Sequence, residues 1–105
     1  MMNILRVGVL AVAVIWVAGC SDPEIEQGEL VYNKFCKVCH AQGINGAPVL
    51  GNQKNWAPRK QQEFDVLVQH ATEGFGLMPA NSGRAGLADE DIPKAIKYML
   101  SQLED

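Results

Sequence analysis

Positive charge is in short supply: 9 Lys+Arg against 12 Asp+Glu leave the 105-residue chain at a net −3. Phosphate binding needs clustered cations that release counterions, so nucleic acid is excluded as a partner. Long hydrophobic runs are missing too. The longest apolar stretch, Val7 to Ala18, has 12 residues, short of the ~20 that cross a bilayer and within the ~7–15 of a secretory signal core. No segment alternates apolar and polar residues as a strand would. No repeat or linker divides the chain, and this length holds one domain. Cysteine is scarce and odd in number, three in all, which in an exported chain leaves one thiol needing a partner or a modification.

That thiol is Cys20. Arg6 precedes the apolar run, and the run ends in Val17-Ala18-Gly19-Cys20, which resembles the bacterial lipoprotein box. The resemblance implies that residues 1–19 are a signal peptide cleaved before Cys20, whose sulfur carries a diacylglycerol. Residues 20–25 are then a lipid-anchored segment, and the protein faces the periplasm from a bacterial membrane. Asp22 stands second after the Cys, which leans to the outer membrane. A plain signal peptide with Cys20 there by coincidence is the alternative. Removal of 1–19 leaves 86 residues at a net −4. That is just above the roughly 70–80 below which small domains add a disulfide, a metal or a cofactor.

The domain, 26–105, reads as all-α with three to four helices and long loops. Asp22-Pro23 is a helix start, followed by apolar Ile25, Leu30, Val31 and Phe35, so a first helix is expected to run into Cys36. From Ala41 to Pro58 periodicity gives way to Gly43, Gly46, Pro48, Gly51 and Asn52, a loop of about eighteen residues and long enough to imply function. Phe64, Leu67, Val68 and Ala71 share one face of a helix that is expected to start between Pro58 and Gln61 and to stop at Gly74. A second Gly-rich loop, Phe75 to Gly83, follows. The last helix takes Asp89 as cap or first turn, with Ile92, Ile96, Met99, Leu100 and Leu103 as its packing stripe.

The chemistry sits in Cys36-Lys37-Val38-Cys39-His40. Two thiols at this spacing reach both vinyl groups of one haem and place the imidazole under the iron. Zinc would need further ligands, and only His70 remains. A thioredoxin-like pair follows a strand, and none is present. A plain disulfide leaves His40 and both loops unexplained. Three side chains compete for the second axial position. Met99 belongs to the packing stripe, and His70 falls on the polar side of its helix as a solvated surface histidine. Met78 stands in a Gly-rich apolar loop with Pro79 fixing the backbone behind it, which suits a thioether held against a metal.

Together with Gly46-Ala47-Pro48, Trp56-Ala57-Pro58-Arg59, Met78-Pro79 and the closing Tyr98-Met99, this pattern resembles the class I c-type cytochromes, and most of all the small bacterial cytochrome c-five group. The resemblance covers about residues 26–103. It implies the class I cytochrome c fold wrapped around one haem c, with Cys36 and Cys39 as thioether attachments and His40 and Met78 as axial ligands. It implies that Pro48 offers its carbonyl to His40, that Trp56 and Arg59 lie near the propionates, and that Gly28 lets the first helix approach the last, where Tyr98 packs. Two departures from the family pattern stand out: Met-Pro-Ala-Asn-Ser-Gly replaces Met-Pro-Pro-x-Gly-Gly, and Ala88 replaces the usual Ser at the last helix cap.

A haem held on both faces has no vacant site, so the expected function is monohaem electron transfer and not enzymatic turnover. The alternatives are a haem enzyme or gas sensor with a displaceable Met78, and a haem-free thiol-redox lipoprotein. Charge adds an expectation about redox protein partners. Lys34, Lys37, Lys54, Arg59 and Lys60 fall between Leu30 and Gln62 with no acid among them, whereas 63–105 hold three basic and eight acidic residues. A basic rim of Lys34, Lys37, Lys54 and Lys60 is expected to steer the protein to an acidic partner. Nothing demands more than a monomer.

Overall fold

The structure, a computed structural model, describes Gly8 and residues 22–103. The expected signal peptide and the lipidation at Cys20 lie outside the described residues.

Helix α1, Pro23–Val31, starts as its sequence dictates. Asp22 accepts a hydrogen bond from the Glu24 N–H at 2.9 Å, and Pro23 occupies the first turn, where its missing donor is harmless. The helix does not end at Cys36. It passes through a π turn, Tyr32–Cys36, and continues as α2, Lys37–His40. The expected apolar face needs a second correction, because Leu30 is 70% exposed. The buried positions are Gly28 and Tyr32, one helical turn apart. Contact is made where the chain is smallest, and Leu30 points away from it.

The loop expected over Ala41 to Pro58 contains helix α3, Gln53–Lys60. Asn52 caps it, accepting from Asn55 N–H at 3.0 Å. Only Trp56 is buried along its length, and Pro58 lies inside it, so neither apolar periodicity nor helix propensity announces it. Helix α4, Phe64–Glu73, therefore begins after Pro58 to Gln61 and ends, as expected, at Gly74. Its face Phe64, Leu67, Val68 and Ala71 packs on the core.

Helix α5, Ile92–Ser101, follows a 3₁₀ turn, Asp89–Asp91, which has no side-chain cap at Ala88. Ile92, Ala95, Ile96, Tyr98 and Met99 are buried along it. Helix α5 crosses α1 at Gly28, where the Tyr32 and Tyr98 rings meet with centroids 5.3 Å apart. Lys97 pairs with Glu24 at 2.8 Å across the same crossing. Among the described residues there is no strand. Phe75 and Met78 exchange a pair of backbone hydrogen bonds, 3.0 and 2.9 Å, that close the tip of the second loop.

Candidate functional site

The helices and loops enclose an apolar cavity of about 310 Å³. Cys36, Cys39 and His40 reach it from the π turn and α2, Pro48 from the first loop, Trp56 and Arg59 from α3, and Met78 from the second loop. The side chains singled out in the sequence thus share one cavity. The far wall is α5, where Ile92, Ala95, Ile96 and Met99 both line the cavity and belong to the buried set. The stripe that periodicity marks as packing surface also shapes the site.

Among the described residues His40 is the buried polar one, 6% exposed. Its Nδ1 lies 2.9 Å from the Pro48 carbonyl oxygen. A carbonyl only accepts, so Nδ1 carries the proton and Nε2 keeps the lone pair. Burial lowers the imidazole pKa, the hydrogen bond to Pro48 opposes that shift, and the Arg59 charge adds to it. The net effect is a neutral ring with a free donor nitrogen, which is the form that ligates a metal. The loop is fitted around it: Leu50 N–H donates to the His40 carbonyl at 2.8 Å, and Trp56 Nε1 donates to Val49 O at 2.9 Å. The indole is therefore an apolar wall whose N–H is already satisfied. Arg59 Nη1 donates to Asn55 O at 2.6 Å, which brings the guanidinium to the cavity.

Cys36 and Cys39 are free thiols. Burial pushes the Cys36 thiol up to about 11, so it stays protonated at neutral pH and is a poor anionic metal ligand or redox thiolate. Among the described residues no three His, Cys, Asp or Glu side chains converge as a metal-binding group, which leaves the zinc reading without a ligand set.

His70 departs from its expected place. It is half-buried, lines the cavity and stacks on Phe75 with ring centroids 3.9 Å apart and planes 12° apart. Gly74, at φ +91°, turns the chain so that Phe75 folds back over α4. The polar side of α4 thus becomes part of the site because the loop covers it. Sequence reasoning also passes over the mouth of the cavity, where Ile44, Phe75 and Leu77 are 40%, 60% and 71% exposed. Their signal was three large apolar residues inside Gly-rich loops, where nothing in the local sequence buries them.

Two thiols, a neutral imidazole, a thioether and mostly apolar walls with one guanidinium are the donor set and the surroundings that fit a covalently attached haem. Comparison with known proteins agrees. The family model described as cytochrome c oxidase, cbb3-type, subunit III matches residues 23–99. Cytochrome c-555 of Chlorobaculum tepidum is 38% identical over 79 residues, 71% of this chain and 73% of that protein. Cytochrome c-551 of Halorhodospira halophila is 47% identical over 68 residues, 65% of this chain and 83% of that one. Among solved structures, a chain from the electron transfer complex of nitrite reductase with cytochrome c superposes with a TM-score of 0.70 at 35% identity. That match covers 81% of this chain and all of the other.

Proposed function

The chain belongs to the cytochrome c family, and from that premise we propose how its residues hold one haem c for single-electron transfer. Cys36 and Cys39 would attach the haem through their sulfurs, and His40 and Met78 would hold its iron. The bound haem supplies the one-electron iron couple, and Met ligation raises its potential. The chain does the rest. Pro48 fixes the tautomer and direction of His40, and Arg59 brings a cation to the carboxylates of the group. Trp56 and α5 exclude water, so that the donor atoms move little between oxidation states. With His40 and Met78 both given to the iron, no position would be left for a substrate, and the protein would act as a carrier and not an enzyme. The observation that carries this reading is the neutral, Pro48-bound His40 in a cavity shared with Cys36, Cys39 and Met78.

Lys34, Lys37, Lys54 and Lys60 are exposed, and among the described residues none of them is in an ion pair. These exposed cations, of which Lys34 lies over the Phe35 ring at 5.2 Å, and the apolar mouth favour docking to redox proteins with an acidic rim. Among the described residues no helix is long and apolar enough to cross a membrane. In this reading the protein is exported and held at the periplasmic face by diacylglycerol on Cys20, with residues 1–19 removed and the haem domain spanning 26–105.

The test is the visible spectrum of the purified protein with and without carbon monoxide, for the natural chain and for Met78→Ala. A low-spin spectrum indifferent to carbon monoxide, converted by Met78→Ala to one that binds it, is the expected result. A colourless protein, or carbon monoxide binding by the natural chain, overturns the assignment. For the anchor, Cys20→Ser is expected to release the protein from the membrane fraction.

A further inference from the structure

The loop that carries Met78 is under local strain. Asn81 and Ser82 sit at φ +50° and +60°, the left-handed region that side chains with a Cβ rarely adopt. Asn81 Oδ1 and Ser82 Oγ are also buried with no hydrogen-bond partner among the described residues. Both features favour a loop that shifts outward, where the backbone relaxes and the two oxygens meet water. Inside the loop, the Phe75–Met78 backbone pair and the Arg84 N–H to Asn81 O bond at 3.3 Å hold its own shape. They do not attach it to the helix that bears Cys36 and His40.

One side chain does. Arg84 Nη1 donates to the backbone carbonyl of Lys34 at 3.1 Å, joining residues fifty positions apart. Lys34 lies in the π turn Tyr32–Cys36, where the α-helical ladder is interrupted and Lys37 N–H returns to Tyr32 O instead. A guanidinium is suited to that acceptor, because it offers several donors and is always charged. The bond ties the far end of the Met78 loop to the turn leading into Cys36.

We propose that Arg84 is a latch, a positioning residue that keeps Met78 in the cavity by tying its loop to the turn that precedes the thiol–imidazole motif. This rests on the reading of Met78 as an axial ligand. Closing the latch holds a strained loop inward, and opening it lets the loop relax and Met78 swing away from His40. Access of an added ligand to the group would then be set by the Arg84–Lys34 bond.

The test is the affinity of the haem-loaded oxidised protein for added imidazole, measured beside the thermal midpoint. Arg84→Met keeps an unbranched stem without the donors and should bind imidazole about five-fold more tightly, the factor one net hydrogen bond confers. Arg84→Lys, which keeps a charged donor, should recover part of the natural affinity. Lys97→Met removes the Lys97–Glu24 tie on the other side of the fold and should lower the thermal midpoint while leaving imidazole affinity unchanged. Met78→Ala should bind imidazole most tightly of all. Unchanged affinity in Arg84→Met, with Met78→Ala raised, overturns the latch alone. Equal gains in Arg84→Met and Lys97→Met also overturn it, since they would mean general loosening. Unchanged affinity in Met78→Ala overturns the ligand assignment and the latch with it.

Discussion

Gly28 of α1 rests directly on the Lys94 carbonyl of α5: a Cβ placed on it would fall on that oxygen, 2.7 Å from the carbonyl carbon and 3.0 Å from Tyr98 Cβ. No rotamer relieves such a contact, because the obstacle is backbone. The two helices can separate only by giving up the Tyr32–Tyr98 contact and the burial around it. Gly28→Ala is therefore expected to destabilise the haem-loaded protein by about 3 kcal/mol, the upper range for overpacking, measured by guanidinium unfolding. A loss below about 0.5 kcal/mol would mean that the crossing is looser than it looks.

Tyr32 is 2% exposed and its hydroxyl has no hydrogen-bond partner among the described residues. Replacing an unsatisfied buried hydroxyl by hydrogen removes a desolvation penalty, so Tyr32→Phe should be neutral or stabilising by about 1 kcal/mol. The same change alters the response to alkali. Burial raises the Tyr32 phenol above its ordinary value of 10.0, with smaller contributions from Tyr98 and Cys36, and burial also raises Tyr98. The folded protein thus favours the neutral phenols. Their contribution is complete below pH 10.0 and is lost as pH rises through the raised values. Tyr32→Phe removes one titration, and unfolding curves above pH 10 should fall less steeply. Identical slopes for both proteins would show that Tyr32 does not titrate differently in the fold.

Ser82 combines a positive φ of 60° with a buried hydroxyl that has no partner among the described residues. Glycine adopts that backbone without a Cβ penalty and carries no oxygen to leave unpaired. Ser82→Gly should raise stability by about 1 kcal/mol after the extra chain entropy of glycine is counted. Thermal unfolding followed by circular dichroism checks this, and a lower midpoint would place the strain elsewhere in the loop.

What was legible in the sequence divides along physical lines. Asp22-Pro23, the α4 face and the α5 stripe are local signals, and the structure places those helices accordingly. The all-α class follows from those helical periodicities and the lack of strand alternation, and the monohaem family from the Cys36-to-His40 motif with its distant companions. Helix α3 was hidden because it buries only Trp56 and owes its form to the Asn52 cap and to what the loop wraps. His70 was misplaced because its surroundings are set by Phe75 folding over it, a tertiary event that helical periodicity does not encode. The close approach of the first and last helices at Gly28 follows from the resemblance and is where the structure has it, whereas the apolar character of Leu30 does not tell that it faces away from that crossing, 70% exposed. The Arg84–Lys34 bond joins an exposed side chain to a backbone carbonyl fifty residues away and leaves no trace in composition or spacing.

Removing the haem should cost the protein its fold. The cavity of about 310 Å³ would either stay open at roughly 24 cal/mol per Å³, about 7 kcal/mol in all, or admit water against apolar walls at a comparable penalty. A domain of about 80 residues has in total roughly 4–12 kcal/mol of stability, so the cavity term alone approaches the whole. Collapse offers no escape, because the walls are built from separate elements: α5 on one side, the π turn and α2 on another, and two loops with little packing of their own. The chain with Cys36→Ala and Cys39→Ala, produced without covalent haem, should show weak helical circular dichroism, no cooperative thermal transition and wide amide hydrogen exchange. The α1–α5 pair is the last element expected to persist, since its contacts at Gly28, Tyr32 and Tyr98 lie away from the cavity. A cooperative transition with native-like helicity in the haem-free chain would show that the helices pack without the group they enclose, and that the cavity is not what limits the stability of this fold.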